Sequence, residues 1–116
     1  KLTRRKCWIA FSLKPKGSLA IDAGAAAALT ARGKSLLASG IVGVRGEFTV
    51  GTPVELQTAS GETIGVGLVN YSAADIRRIR GLKSQHIGQV LGQKPYDEVI
   101  HRDNLVITAA DALDEG

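Results

Sequence analysis

Apolar and polar positions alternate through Trp8-Ile9-Ala10-Phe11-Ser12-Leu13, which predicts a strand with Ile9, Phe11 and Leu13 on one face. Pro15 and Gly17 break it. Leu19-Ala20-Ile21 predicts a second, shorter strand. The pattern then changes. Asp22 is a good N-cap, and the alanine run that follows has high helix propensity, so a helix is predicted through Arg32. Gly33 is placed to end it in the left-handed conformation. Gly24, in the first turn, costs about 1 kcal/mol relative to Ala. A glycine kept there points to close backbone approach, by another packed segment in the first place or by a ligand.

Residues 41–71 predict a meander of short strands at 41–44, 48–50, 54–58 and 63–71, with Arg45-Gly46, Gly51-Thr52-Pro53 and Ala59-Ser60-Gly61 as turns. Ile64, Val66 and Leu68 alternate with Gly65 and Gly67, and glycines inside a strand mark a bend or bulge. Ser72-Ala73-Ala74-Asp75 has the form of a capping box and predicts a short helix that Gly81 ends. Ile87, Val90 and Leu91 predict a third helix over 84–92. Residues 98–101 and 105–107 read as closing strands. The fold class expected is mostly β within α+β: a small pseudo-barrel of about six short strands with three short helices.

The length of 116 residues fits one domain that buries roughly two thirds of its unfolded surface. Aromatics make up only 4%, so Ile, Val, Leu and Ala must build the core. Net charge is +4 and uneven. Residues 1–34 hold eight basic side chains against Asp22 alone, whereas residues 35–116 hold seven basic against ten acidic. A one-sided basic face is the footprint of a nucleic-acid binder, and also that of a solvated surface. Cys7 is the only cysteine, which excludes an internal disulfide and fits a reducing, cytoplasmic setting. No apolar run approaches the ~20 residues of a membrane helix, so no membrane partner is expected. The chain contains no Met, as expected of a domain cut from a longer polypeptide or of one whose start was trimmed. Residues 1–6 read as a linker, 7–108 as the domain and 109–116, with Asp111, Asp114 and Glu115, as an acidic tail.

Motifs for catalysis are incomplete. His101-Arg102-Asp103 carries the letters of a protein-kinase catalytic loop, but the metal-holding Asn required five residues later is Thr108. A half-buried structural network among the three is expected instead. Gly65-Val66-Gly67 lacks the third glycine of a dinucleotide fingerprint, since position 70 is Asn, and no helix opens there. Gly33-Lys34-Ser35 lacks the upstream glycine of a phosphate loop, because position 28 is Ala, and it follows a helix rather than opening one. Cys7, His86 and His101 are too widely spaced to suggest a metal site. Cys7 is expected to be packed beside Trp8, and His86 to lie on the surface.

Several stretches together resemble the PUA domain, a small β-barrel module named after pseudouridine synthases and archaeosine transglycosylases. Asp22, Gly24 and Ala25 match its helix start, Gly33 the helix end, Gly40-Ile41 the following strand, and Phe48 with Gly51 a later turn. Within that family the chain is most similar to the C-terminal PUA domain of glutamate 5-kinases. Arg32-Gly33-Lys34-Ser35-Leu36-Leu37, Gly67-Leu68-Val69-Asn70-Tyr71-Ser72 and Tyr96-Asp97-Glu98-Val99-Ile100-His101-Arg102-Asp103-Asn104-Leu105 carry that likeness. The resemblance implies a non-catalytic accessory domain. Its parent enzyme phosphorylates L-glutamate with ATP to γ-glutamyl phosphate, in proline biosynthesis. ATP and Mg²⁺ would sit in the preceding kinase domain, with no cofactor in this part. The implied partners are that kinase domain, a second copy in a homo-oligomer, and structured RNA. In PUA domains the first helix and the strand after it commonly face RNA. Carried over, this implies Gly24 and Ala25 at the helix start and Gly33 to Leu36 at its end; with the basic side chains of the Lys14-Pro15-Lys16-Gly17 loop and of the helix end, the candidate RNA-binding residues are Lys14, Lys16, Gly24, Ala25, Arg32, Gly33, Lys34 and Ser35. An alanine-rich surface without an aromatic offers no stacking platform there.

Overall fold

The structure is a computed structural model that describes residues 3–108. The expected acidic tail lies outside the described residues. Five strands form one mixed sheet in the order β2-β1-β3-β4-β5: β1 Ser18–Ile21, β2 Ile41–Arg45, β3 Pro53–Thr58, β4 Thr63–Leu68 and β5 Leu105–Ile107. Only β1 and β3 run parallel. The helices are α1 Arg4–Ser12, α2 Ala23–Arg32, α3 Ala73–Ile79 and α4 Ile87–Leu91. The α+β class agrees with the sequence pattern, but the sheet has five strands rather than about six, and a fourth helix is present.

The extra helix replaces the expected first strand. Residues 8–13 belong to α1, which starts at Arg4, inside the segment read as a linker. Thr3 caps it, its Oγ1 accepting the Lys6 N–H at 3.2 Å. The helical period keeps Ile9, Ala10 and Leu13 on one side, where they pack with Val66, Leu68 and Val106 of β4 and β5. Phe11, expected to share a face with Ile9 and Leu13, is instead 72% exposed, and Trp8 is 52% exposed. Cys7 is exposed rather than packed. The Arg5 guanidinium donates to the Asn104 side-chain oxygen and ties α1 to the turn before β5.

The expected strand at 48–50 is also absent, because its backbone groups are used elsewhere. The Phe48 carbonyl accepts the Ala73 N–H of α3, and Gly51 donates to the Val69 carbonyl, with φ +86° at Gly51. Phe48 itself is buried. Residues 98–101 make one bridge, Leu36 to Ile100, rather than a full strand. The predicted third helix is a 3₁₀ turn, Ser84–His86, followed by α4 with Gly92 as its left-handed cap. His86 is exposed, as expected.

The two glycines of β4 answer to close packing, Gly65 with β5 and Gly67 with the segment that precedes it. A Cβ on Gly65 would lie 2.5 Å from the Val106 carbonyl oxygen, and one on Gly67 would lie 2.8 Å from Ile100 Cγ2. The expected irregularity falls beside them: the β3–β4 register shifts between Leu56 and Gln57. The main core is aliphatic, built around Leu19, Ile21, Leu29, Ile41, Leu56 and Ile76. Tyr71 and Phe48 are its buried aromatics.

Candidate nucleic-acid interface

The first candidate surface is assembled around α2. Asp22 is extended, and its Oδ1 accepts the Ala25 N–H at 2.7 Å, which starts the helix. Gly33 ends it at φ +61°, donating to the Ala28 carbonyl. The chain then doubles back beside the helix. Leu36 donates to Ile100 and accepts from Val99, at 2.9 and 2.8 Å. Gly40 passes close to the helix start: its carbonyl accepts the Asp22 N–H at 3.0 Å, and a Cβ on it would lie 2.5 Å from Ala25 Cβ. Gly40 is therefore the position here where only a glycine fits.

Between α2 and this returning segment lies a cleft of about 340 Å³, lined by Gly24, Ala25, Ala28, Lys34, Ser35 and Leu37 among others. A second hollow of about 350 Å³ continues from Lys34, Ser35 and Leu37 to Glu98, His101 and Arg102. The Arg102 N–H donates to Ser35 Oγ at 2.8 Å. His101 Nδ1 accepts the Asp103 N–H at 3.0 Å. His101 is half-buried and the other two are exposed, so the three residues form a turn-capping network rather than a catalytic loop.

Four of the eight sequence candidates, Gly24, Ala25, Lys34 and Ser35, line the cleft. Arg32 and Gly33 are exposed at the end of α2 and do not line it. Lys14 and Lys16 belong elsewhere. The Lys16 N–H donates to the Pro53 carbonyl at the start of β3, and Gly17 packs against Arg45 and Phe48. All four residues of β1 separate that loop from Asp22, a span of roughly 13 Å at about 3.3 Å per residue. Lys14 and Lys16 thus do not line the cleft that Lys34 lines. Gly24 is exposed, and a Cβ there would meet only Asp22 Oδ1 at 3.5 Å. Packing against another segment, the first expectation for this glycine, is not its reason.

The sequence reading missed Leu37, Glu98, His101 and Arg102 as neighbours of this cleft. Leu37 follows directly on the candidate stretch, whereas Glu98, His101 and Arg102 arrive through the Leu36–Ile100 bridge, which joins positions 64 residues apart and leaves no local signal. Among the described residues, no group of three or more His, Cys, Asp or Glu side chains could hold a metal ion. No helix among them is long and apolar enough to cross a membrane.

A family model described as the PUA domain matches residues 17–91, from the β1 entry through α4. The chain belongs to the PUA domain family. Two solved structures share its fold. A PUA domain from Aeropyrum pernix, crystallised as a tartrate complex, is 26% identical with a TM-score of 0.59, over 84% of this chain and 46% of that one. A PUA domain protein from Thermoplasma acidophilum is 21% identical with a TM-score of 0.52, over 83% and 51%. Among curated proteins, the glutamate 5-kinase of Syntrophus aciditrophicus is 59% identical over 106 residues, which is 91% of this chain and 28% of that protein. The glutamate 5-kinase of a Picosynechococcus strain is 54% identical over the same length and shares. The PUA domain described here therefore spans little more than a quarter of the curated relatives it matches.

Proposed function

We propose that this PUA domain is the non-catalytic accessory part of a longer, cytoplasmic polypeptide. That polypeptide phosphorylates L-glutamate with ATP to γ-glutamyl phosphate, as the first step of proline biosynthesis. The observation that carries the reading is the 59% identity to a glutamate 5-kinase over 106 residues. Two of the three stretches that carry the likeness to those kinases, 67–72 and 96–105, also support it, because they fold against each other: Asn70 donates to Val99 and Glu98 carbonyls, and Tyr71 bonds Tyr96. In this reading ATP, glutamate and Mg²⁺ are held by the kinase domain that precedes it, and this domain shapes assembly or regulation.

The test is a hydroxamate assay for γ-glutamyl phosphate on the full-length gene product, with and without this domain. The full-length protein is expected to form the product, and the 116-residue chain alone is not. Removing the domain is expected to change the oligomeric state or the response to proline. A full-length protein without glutamate-dependent ATP turnover sinks the parent assignment. A truncated protein unchanged in assembly and regulation sinks the accessory role.

A second reading, RNA binding, is favoured by one observation: the cleft edge at Gly24 is bare backbone beside Lys34, which suits close approach of a phosphate chain. Titration with a structured RNA and a length-matched DNA duplex at two salt concentrations tests it. Saturable binding that prefers RNA and weakens with Lys34→Ala supports it. Equal binding to both that vanishes with salt reduces it to counterion release.

A further inference from the structure

Beside the pairing of residues 67–72 with 96–105 lies a third hollow, which shares no lining residue with the α2 cleft or with the hollow that continues it. It has a volume of about 230 Å³. Val50, Leu91, Pro95 and Tyr96 supply its apolar walls, and Asp75, Asn70 and Gln93 its polar groups. The walls are rigidly built. The Tyr71 and Tyr96 rings meet edge to face, with centroids 6.2 Å apart and planes at 84°. The Tyr71 hydroxyl bonds both the carbonyl and the N–H of Tyr96. Even so, Tyr96 stays 46% exposed and Val50 59% exposed at the rim.

An inventory of the polar groups gives the hollow its chemistry. The Tyr71 hydroxyl is already used as donor and acceptor. The Asn70 amide nitrogen donates to the Glu98 carbonyl, which leaves its side-chain oxygen. Asp75 is half-buried in the first turn of α3. Its N–H donates to Ser72 Oγ, but among the described residues no hydrogen bond or ion pair reaches its carboxylate. The expected capping box is therefore only half made, and the carboxylate remains free in a hollow that Tyr71 and Tyr96 also line. Free acceptors and one negative charge in a small hollow of mixed polar and apolar lining suit a donor-rich cation, which gains charge-assisted hydrogen bonds from the carboxylate while its stem meets the apolar walls. Tyr71 also feels the Asp75 charge, after burial and its closer partners.

We propose that this hollow binds an organic cation of side-chain size, a guanidinium or primary ammonium on an apolar stem. The inference goes beyond the accessory and RNA readings and depends on neither. The volume admits one long side chain, below the usual range of pockets for drug-sized ligands.

The experiment is an amide-resolved NMR titration of the 116-residue chain with N-acetyl-arginine methylamide and its uncharged citrulline counterpart. Saturable shifts confined to residues 70–75 and 91–97 are expected with the arginine compound, and at least tenfold weaker binding with the citrulline compound. Asp75→Asn, which keeps a side chain of the same shape in α3, should weaken the arginine compound about tenfold. Tyr96→Ala should weaken it several-fold. The peptide acetyl-leucyl-arginyl-leucine amide separates the sources: tighter binding than the single residue assigns the cation to a polypeptide partner, equal binding to a small molecule. Absence of saturable shifts, equal binding of the citrulline compound, or an Asp75→Asn chain that binds as the parent does overturns the proposal.

Discussion

The Tyr71 hydroxyl donates to the backbone carbonyl of Tyr96 and accepts the N–H of the same residue at 3.2 Å. One side chain thus satisfies both backbone groups of a residue in the connection between α4 and β5, 25 positions away. Tyr71→Phe keeps the ring and removes only the hydroxyl. A net cost of about 1–3 kcal/mol is expected, since two partners are left unpaired. Urea unfolding measures it. Hydrogen exchange should speed up over residues 93–98 before it does in β1 and β3. An unchanged midpoint would mean that water replaces the hydroxyl at no cost.

Burial raises the Tyr71 phenol above its ordinary value of 10.0, and the bond the hydroxyl oxygen accepts from the Tyr96 N–H only partly offsets this. The native state therefore holds the proton where the unfolded chain has begun to lose it. The stability due to this group is complete below pH 10.0 and is lost as pH rises through the higher, folded value. The chain has two tyrosines, so a Tyr96→Phe variant isolates the signal near 295 nm. Its phenolate should appear later than that of a free tyrosine, and Tyr71→Phe should flatten the fall in stability above pH 10.0. Titration at the ordinary value would contradict the burial.

Ile9 is fully buried between α1 and the β4–β5 pair, in a small cluster apart from the main core. Ile9→Ala is expected to cost about 2–5 kcal/mol. Because the cluster is a satellite, the loss should fall first on α1: its amides should lose protection while those of β1 and β3 keep theirs. Equal loss throughout would make α1 part of the same cooperative unit as the sheet.

How much of this was legible follows the range of the forces involved. Asp22 and Gly33 bracket α2 through bonds reaching three to five residues, and Ser72 starts α3 the same way, so local residue chemistry was enough. Residues 8–13 misled because six alternating positions satisfy a strand and a helix alike. Thr3, the cap that decides between them, lies outside the alternating run. The α2 cleft was half legible. Gly24, Ala25, Lys34 and Ser35 come from one continuous stretch, whereas His101 and Arg102 reach it through a single distant bridge. Lys14 and Lys16 were grouped with it by sequence proximity, and the extended β1 carries them away.

Gly24 and Gly65 give opposite expectations for the same substitution. A Cβ on Gly65 would press on the Val106 carbonyl at 2.5 Å, and backbone cannot yield as a flexible side chain can. Gly65→Ala should therefore destabilise by about 1–3 kcal/mol or more. Gly24 lies in the first turn of α2 with room for a methyl group, its nearest contact an ordinary 3.5 Å. Gly24→Ala should leave stability unchanged or raise it by up to about 1 kcal/mol. The added methyl sits on the wall of the α2 cleft, so the same variant also reports on function. A more stable protein with several-fold weaker RNA affinity would place RNA against the bare backbone at the helix start. A more stable protein with unchanged affinity would put any RNA contact elsewhere, and the accessory role alone would then account for the domain.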